Sequence, residues 1–466
     1  MVSIWMEAVR VRKKKPVVSK PEVIPDADHE MILKRVCGID VAKASASVCL
    51  RVPPADGGTR RTSKVWEVAA TLNAVVELSQ ELLTKGVEKV TLESTGDYWR
   101  IWFYLLEAAG LSVELVNARD VKNVPGRPKT DKLDSVWLAK LTERGMLRPS
   151  FVPPAPIREL RDYTRMRVDL VHDRTRYWQR LEKLLEDALI KVSSVASSVN
   201  TLSCRDMIEA LISGERDPRV LAELARSTMR LKHDALVEAL TGRFDDHHAE
   251  LARMLLDQID TLGVQIDKIT VRIVELLDAI VVDVADDEDG DNSTGATKLV
   301  TGTTLVEHLD EITGIGPLTA QLVLAEIGVD MSVFPTADHL ASWAKLSPRT
   351  IQSGAKSYGG GTGKGNPYLK GALGEAAAAA ARTNTFLGEK YRRIVKRRGK
   401  GKALVAVARS ILVIIWHLVN DPSPRYDDLG PDYHTARLNT GRKVRNLTSQ
   451  LAALGFTVTL ESTTAA

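Results

Sequence analysis

Between Met31 and about Ser150, short apolar runs alternate with amphipathic stretches. ILKRVCGIDV predicts a strand ending at Asp40, SASVCLRV its hairpin partner, and SKVWEVAAT a third strand. A helix over Leu72 to Lys85 follows, then the strand KVTLE, a helix around Trp99 to Ala109 and the strand SVELVNA. A polar loop rich in Pro, Gly and Lys leads into the helix DKLDSVWLAKLTE. Three strands followed by alternating helix and strand predict a mixed sheet with helices on its faces.

The Pro-rich break FVPPAPI marks a boundary near residue 151, and the period beyond it is helical. Leu255, Ile259, Leu262, Ile266, Ile269, Ile273, Leu276 and Ile280 step by alternating four and three, the seam of a coiled coil. Tyr163, Met166, Leu170, Tyr177, Leu181, Leu184 and Ala188 give a looser seam in an earlier helix. An antiparallel helical arm that also serves oligomer contact is expected, with two core helices of a bundle as the plainer reading. The next break, DVADDEDGDNSTGATK, carries six acidic residues between Asp283 and Asp291. Aligned on Gly290, a calcium loop would place Ala285 and Ala296 at its first and twelfth positions, where oxygen ligands are required. A solvated acidic linker is the better reading. The expected organisation is a flexible basic tail (1–30), an α/β domain (31–150), a helical coiled-coil region (151–282), an acidic linker (283–304), a helical C-terminal domain (305–420) and a weakly patterned tail (421–466).

Composition narrows the class without naming a partner. The 466 residues are 44% hydrophobic and 27% charged, the mix of a globular protein with ample core. Cys37, Cys49 and Cys204 form no close pair, so neither a disulfide framework nor a cysteine zinc site is expected, and a reducing cytoplasm is the default. The start, MVSIWMEAVRVRKKKP, lacks the apolar core of a signal peptide. The run Ala403 to Val419 is interrupted by Arg409 and His417, short of the roughly 20 apolar residues that span a bilayer. Lys plus Arg number 64 and Asp plus Glu 60, but the +4 balance hides segregation. Basic stretches at Arg10 to Lys15, Arg119 to Lys129 and Lys390 to Lys402 are offset by acid elsewhere.

The acids form a pattern. Asp40 and Glu93 each end an apolar strand, and Asp131 and Asp134 lie three apart on one helix, hence on one face. Four carboxylates brought together repel unless cations neutralise them, which suits hard divalent ions able to clamp a phosphodiester. Arg119, Lys122, Arg127 and Lys129 add positive charge suited to a phosphate backbone. Taken singly, each acid has an ordinary role as a turn residue, surface carboxylate or helix cap, and Asp97 and Asp120 are rival ligands. The GID opening also resembles the sugar-kinase and actin superfold, but no glycine-rich phosphate loop follows it.

In the C-terminal third, EITGIGPLTAQLVLAEIG reads as helix, glycine turn, helix. Gly314 and Gly316 would let amides approach a phosphate, as in a helix-hairpin-helix element. The loop SPRTIQSGAKSYGGGTGKGNP is basic and hydroxyl-bearing, and the helix after it carries Ala376 to Ala381, which suits close packing. Ser353, before a glycine, is a nucleophile candidate that only metals or neighbours such as Lys356 and Lys364 could activate, since no Ser–His–Asp arrangement is visible. Eight Lys or Arg and no acid lie between Lys390 and Lys402, with Lys390, Arg392, Arg393, Lys396, Arg397 and Arg398 as phosphate contacts.

Together GIDVAK, LESTGDYW, GRPKTDKLDSVWLAKL, ITGIGPLTAQLVLAEIG, FPTADHLASWAKLSP and QSGAKSYGGGTGKGNPYLKGAL resemble transposases of the bacterial insertion sequence 110 family, with its 116 and 902 relatives. The resemblance runs from about residue 32 to 420. It implies a RuvC-like (RNase H-type) mixed-sheet domain with a DEDD set, a coiled-coil arm and a helical C-terminal transposase domain with an essential serine. The DEDD set falls on Asp40, Glu93, Asp131 and Asp134, as metal ligands and catalytic groups, and the serine on Ser353, with Ser347 and Ser357 close by. It further implies Mg²⁺ or Mn²⁺, a covalent serine–DNA link, donor and target DNA, an element-encoded bridge-type guide RNA and a homo-oligomer, dimer or tetramer, in the bacterial cytoplasm at the nucleoid. The partner subunit's acidic site would assist each serine. Two features depart from the pattern: the basic extension before Met31 and the long acidic linker near Asp286. A structure-selective nuclease of Holliday-junction type, and a non-catalytic domesticated transposase, are the alternatives.

Overall fold

The computed structural model describes residues 33–54, 61–94, 96–118, 121, 131–285, 297–348, 350–354, 356–436 and 440–460. The chain divides into two compact units at Val152 and Pro153.

The first unit is a five-stranded sheet in the order β3-β2-β1-β4-β5. Strands β1 (Val36–Val41), β2 (Ser45–Val52) and β3 (Thr62–Ala69) run antiparallel in sequence, while β4 (Lys89–Ser94) and β5 (Val113–Asn117) extend β1 in parallel. This is the mixed sheet with helices on its faces that the sequence predicts. Alternation of side chains assigns the two faces. Cys37, Ile39, Val48, Leu50, Val90 and Leu92 pack under α1 (Leu72–Thr84) and α2 (Arg100–Ala108), with Leu78, Leu82, Trp102 and Leu106 fully or nearly buried. The opposite face carries α3 (Asp131–Glu143), whose Leu138 and Leu141 cluster with Val116 and Val121 and whose Ala139 lies against Val36 and Cys49. The three free cysteines are buried, and burial pushes the Cys49 thiol up to about 11.

The second unit is mostly helical. Helix α4 (Ala155–Asp187) and a much later helix, α8 (Asp246–Asp278), each have 33 residues, about 50 Å of helix. They run antiparallel: Arg272 of α8 meets Glu159 near the start of α4 at 3.3 Å, and His248 at the start of α8 meets Asp187 at the end of α4 at 3.2 Å. The connection between them folds into α5 (Leu202–Ile212), α6 (Pro218–Glu223) and α7 (His233–Leu240), which share a core with the adjoining ends of the arm. The row on α8 that faces inward is Ala252, Leu256, Ile259, Ile266, Ile273 and Leu277, continued by buried Ile280 just past the helix end. It shares Ile259, Ile266, Ile273 and Ile280 with the predicted seam. Leu255, Leu262, Ile269 and Leu276, the other half of that seam, are half-buried.

After the arm the stretch expected to be a plain acidic linker begins and ends in a hairpin, β6 (Val281–Ala285) paired with β7 (Thr297–Thr301). The acids from Asp286 to Asp291 lie outside the described residues. Helices α9 (Gly302–Asp310), α10 (Pro317–Ile327), α11 (Ala337–Trp343), α12 (Pro367–Ala380), α13 (Phe386–Arg398) and α14 (Lys400–Asn420) then form a bundle around α14. By length and composition α14 could cross a membrane; eight of its residues, including Val407, Ile411, Leu412 and Ile415, are instead buried in the bundle. The loop before α12 contains a second hairpin, β8 (Thr350–Ser353) with β9 (Lys356–Gly359). In the tail, α15 (Tyr433–Ala436) and α16 (Thr440–Ala453) follow.

Candidate active site and nucleic-acid interface

The acidic constellation begins in the sheet register. Asp40 and Glu93 are direct partners on the parallel strands β1 and β4, so their side chains leave the same face. Gly38, two residues before Asp40, identifies that face. A Cβ at Gly38 would lie 2.6 Å from the Ala139 nitrogen and 2.7 Å from the Ser135 carbonyl oxygen, so only glycine lets α3 rest directly on β1. The first turn of α3, with Asp131 and Asp134, is thereby held on the side of the sheet from which Asp40 and Glu93 project. Polar ties hold it there. Ser47, in register opposite Asp40 on β2, bonds Ser135 at 3.0 Å, and the Thr142 hydroxyl donates to the Thr91 hydroxyl at 2.8 Å. Glu93 is only 4% exposed, whereas Asp40 and Asp134 are half-buried.

All donors in this set are carboxylate oxygens, the chemistry of a site for hard divalent cations. Asp97, a rival ligand, sits on an exposed 3-10 turn with its side chain 85% exposed, beside Arg100. Arg119, Asp120, Lys122, Arg127 and Lys129 lie outside the described residues.

Ser353 ends β8, and its backbone register partner is Lys356 across a two-residue turn. Gly354 in that turn has φ +57, the left-handed region that glycine adopts without cost. Ser357 pairs with Gln352 one step further, and Ser347 precedes the hairpin, half-buried. Lys356 and Lys364 are exposed. The loop's far end is structural: Asn366 accepts from the Tyr368 and Leu369 amides, capping α12, and its amide group donates to Glu326.

The basic run occupies the corner between α13 and α14. Arg393, Lys396, Arg397 and Arg398 are exposed, and the last three complement the C-terminal dipole of α13. Arg392 is committed elsewhere, to Glu389 and to the Thr383 carbonyl at 2.9 Å each. Lys390 is half-buried and donates to the Ser410 hydroxyl. Lys390, Arg398 and Lys402 line one groove between the two helices.

The glycine turn divides its labour. Gly314, at φ +92, lies so close to the Ala376 carbonyl and the Ala380 amide that a Cβ there has no room. Its missing side chain serves contact with the alanine-rich helix, correcting the expectation that it opens the turn to a phosphate. Gly316 has nothing within 4 Å and starts α10.

Sequence reasoning missed a buried ionic cluster at the base of the arm. Glu326, fully buried, receives a bidentate pair from Arg165 (2.7 and 2.9 Å) and a contact from Arg161 at 3.3 Å. Arg167 beside it, pushed down to about 10 by burial, donates to Gln321 at 2.7 Å. The acids and bases involved lie some 160 positions apart, and no local pattern joins them. Also unforeseen, Asp187, His247 and His248 bring potential metal-ligand atoms within 4.8 Å of one another. His248 Nδ1 accepts the Asp245 amide at 3.1 Å, so its Nε2 carries the proton and donates to Asp187. No ring nitrogen of His248 is left as a ligand, and the trio clasps the two arm helices.

A family model described as a transposase, of DEDD type, matches residues 37–190, and one described as "Transposase IS116/IS110/IS902 family" matches 306–392. The "Insertion element IS116 uncharacterized 44.8 kDa protein" of Streptomyces clavuligerus is 23% identical over 79% of this chain and 90% of its own length. A "Probable family 20 transposase" of Pseudomonas aeruginosa is 23% identical over 71% of this chain and 83% of its own. An "Insertion element IS110 uncharacterized 43.6 kDa protein" of Streptomyces coelicolor is 34% identical, but over 24% of this chain and 28% of that relative. Among solved structures, Thermus thermophilus RuvC aligns at 14% identity and TM-score 0.20, covering 25% of this chain and 99% of RuvC.

Proposed function

The chain belongs to the IS116/IS110/IS902 transposase family, two of whose models together match more than half of it, and on that premise we propose how it breaks and rejoins DNA. Ser353 is the nucleophile, and Asp40, Glu93, Asp131 and Asp134 form the acidic centre. The observation that carries the acidic assignment is the in-register pair Asp40 and Glu93, on the face where Gly38 admits the helix bearing Asp131 and Asp134.

These carboxylates would hold Mg²⁺ or Mn²⁺, whose positive charge would offset the negative charge developing on the phosphoryl oxygens. Ser353 Oγ attacks the phosphorus, the bond to the departing sugar oxygen breaks, the serine proton is lost and the sugar oxygen gains one. The result is a phosphoserine diester, as rich in bond energy as the link it replaced, so a new sugar hydroxyl can reverse the step and join the strand elsewhere. Glycine at 354 lets the chain turn sharply after the serine, and exposed Lys356 is its register neighbour. Exposed Arg393, Lys396 and Arg397 suit nucleic-acid backbone, whether donor and target DNA or an element-encoded bridge-type guide RNA. With a guide, base pairing would read sequence while the protein reads shape and charge.

Self-association into a dimer or tetramer belongs to the same reading. Half-buried Leu255, Leu262, Ile269 and Leu276 on α8, and Tyr163, Leu170, Tyr177 and Leu184 on α4, each recur every seven residues along the arm. Tyr177, Leu184 and Leu255 pack on the arm's own core, and the remainder of the rows fits a second copy of the arm.

The test is direct. Protein, element-flanking RNA and DNA substrates incubated with Mg²⁺ should yield a protein–DNA adduct on denaturing gels, lost in Ser353→Ala and in Asp40→Ala. Cleavage that persists in Ser353→Ala would instead favour a nuclease using water; binding without cleavage in the wild type would favour a non-catalytic protein.

A further inference from the structure

A groove of about 1090 Å³ lies in the C-terminal bundle, somewhat above the roughly 300–1,000 Å³ usual for ligand pockets. Helix α13 lines it with Lys390, Ile394 and Arg398 at steps of four, and α14 with a stripe that includes Lys402, Val405 and Arg409. The third wall is Pro348 together with Gly360 to Thr362, the two ends of the segment that forms hairpin β8–β9. The chemistry is two-fold. Ile394, Val405 and Ile414 make an apolar floor, while four cations face a single carboxylate, Asp338, which Arg409 already holds at 2.6 Å.

A base-paired duplex keeps its base faces in its own stack and offers phosphates and groove edges. Cations over an apolar floor match a nucleotide whose base has left the stack. We propose that this groove is a subsite for one extruded nucleotide of the DNA strand undergoing exchange, its base on Ile394, Val405 and Ile414 and its flanking phosphates on Lys390, Arg398 and Lys402. The proposal rests on the reading of the chain as a DNA transposase and adds what the strand does beside hairpin β8–β9. Lys390 fits this role. Burial, with Arg393 and Arg409 nearby, pushes its amine below the ordinary lysine value, and it donates to a neutral hydroxyl, that of Ser410. A phosphate would supply the counter-charge.

The experiment needs no catalysis. Binding of the full chain is measured at one fixed salt concentration to a DNA duplex with a single unpaired 2-aminopurine, to the same duplex fully paired, and to the bulged sequence as RNA. Free deoxyadenosine monophosphate serves as competitor. The bulged DNA should bind about tenfold tighter than the paired duplex, within what one base contact contributes. Ala406→Trp, which fills the groove, should abolish that preference and leave paired-duplex affinity intact. Lys402→Glu, an exposed change that leaves the core untouched, should lower the bulged-to-paired ratio as well. Equal binding of bulged and paired DNA by the wild type, or a preference that survives both variants, overturns the proposal. So does bulged RNA binding as tightly as bulged DNA, or the free nucleotide displacing the bulge at similar concentration. Absence of the preference in wild-type protein that still forms the serine adduct defeats the subsite alone; an intact wild-type preference without an adduct defeats the catalytic reading alone.

Discussion

At Gly38 one missing methyl group sets the geometry of the acidic centre. A Cβ there would overlap the α3 backbone at Ala139 and Ser135, and backbone cannot swing aside as a long side chain can. Gly38→Ala should therefore lift the start of α3, destabilise the protein by about 1–3 kcal/mol as overpacking does, and cut adduct formation far more than DNA binding. Urea unfolding beside an adduct assay separates the two effects. Unchanged adduct yield would refute the role assigned to this contact. At Glu326 the opposite hazard holds. Its carboxylate is fully buried among Arg161, Arg165 and Asn366, so Glu326→Ala strands charged guanidinium groups without a counter-charge. A loss of about 3–5 kcal/mol is expected, read as a lower unfolding midpoint, because breaking one side of a buried pair costs more than the pair contributes.

Among the elements, those whose burial follows their own period were legible in the sequence. The helix DKLDSVWLAKLTE is α3 to the residue, and SASVCLRV is β2. Asp40 and Glu93 could be picked out because each closes an apolar run, and α3 carries Asp131 and Asp134 in its first turn. The arm shows where this fails. Two rows on α8, sharing Ile259, Ile266 and Ile273, both satisfy a heptad, and the sequence alone does not distinguish them. The row that includes Leu256 and Leu277 turns toward α4, leaving Leu255, Leu262, Ile269 and Leu276 half-buried on a flank. Replacing Leu262 and Ile269 together with Glu should weaken self-association tenfold or more per site, since burying such a side chain contributes about 1.5–3 kcal/mol. Sedimentation should show monomers with a nearly unchanged unfolding midpoint; persistent oligomers would place the contact elsewhere. The glycine-rich loop misled in a similar way: it reads as irregular, yet Gly354 permits a tight hairpin, and Asn366 both caps α12 and binds Glu326.

For the whole molecule, the near-neutral charge conceals separate fields. The corner of α13 and α14 exposes Arg393, Lys396, Arg397 and Lys400, while Arg392 and Arg409 are consumed by internal pairs. Sequence by itself determined the order of strands and helices in the first unit, the acids at the strand ends, the basic run and the family resemblance, because each is written in residues near one another in the chain. Tertiary structure alone decided which face α3 covers, which row of the arm is turned inward, that Gly314 serves packing, and that a cationic groove with an apolar floor opens beside the serine hairpin. Those outcomes depend on residues tens to hundreds of positions apart meeting in space, where excluded volume and the cost of burying unpaired charge choose among arrangements that local periodicity leaves equal.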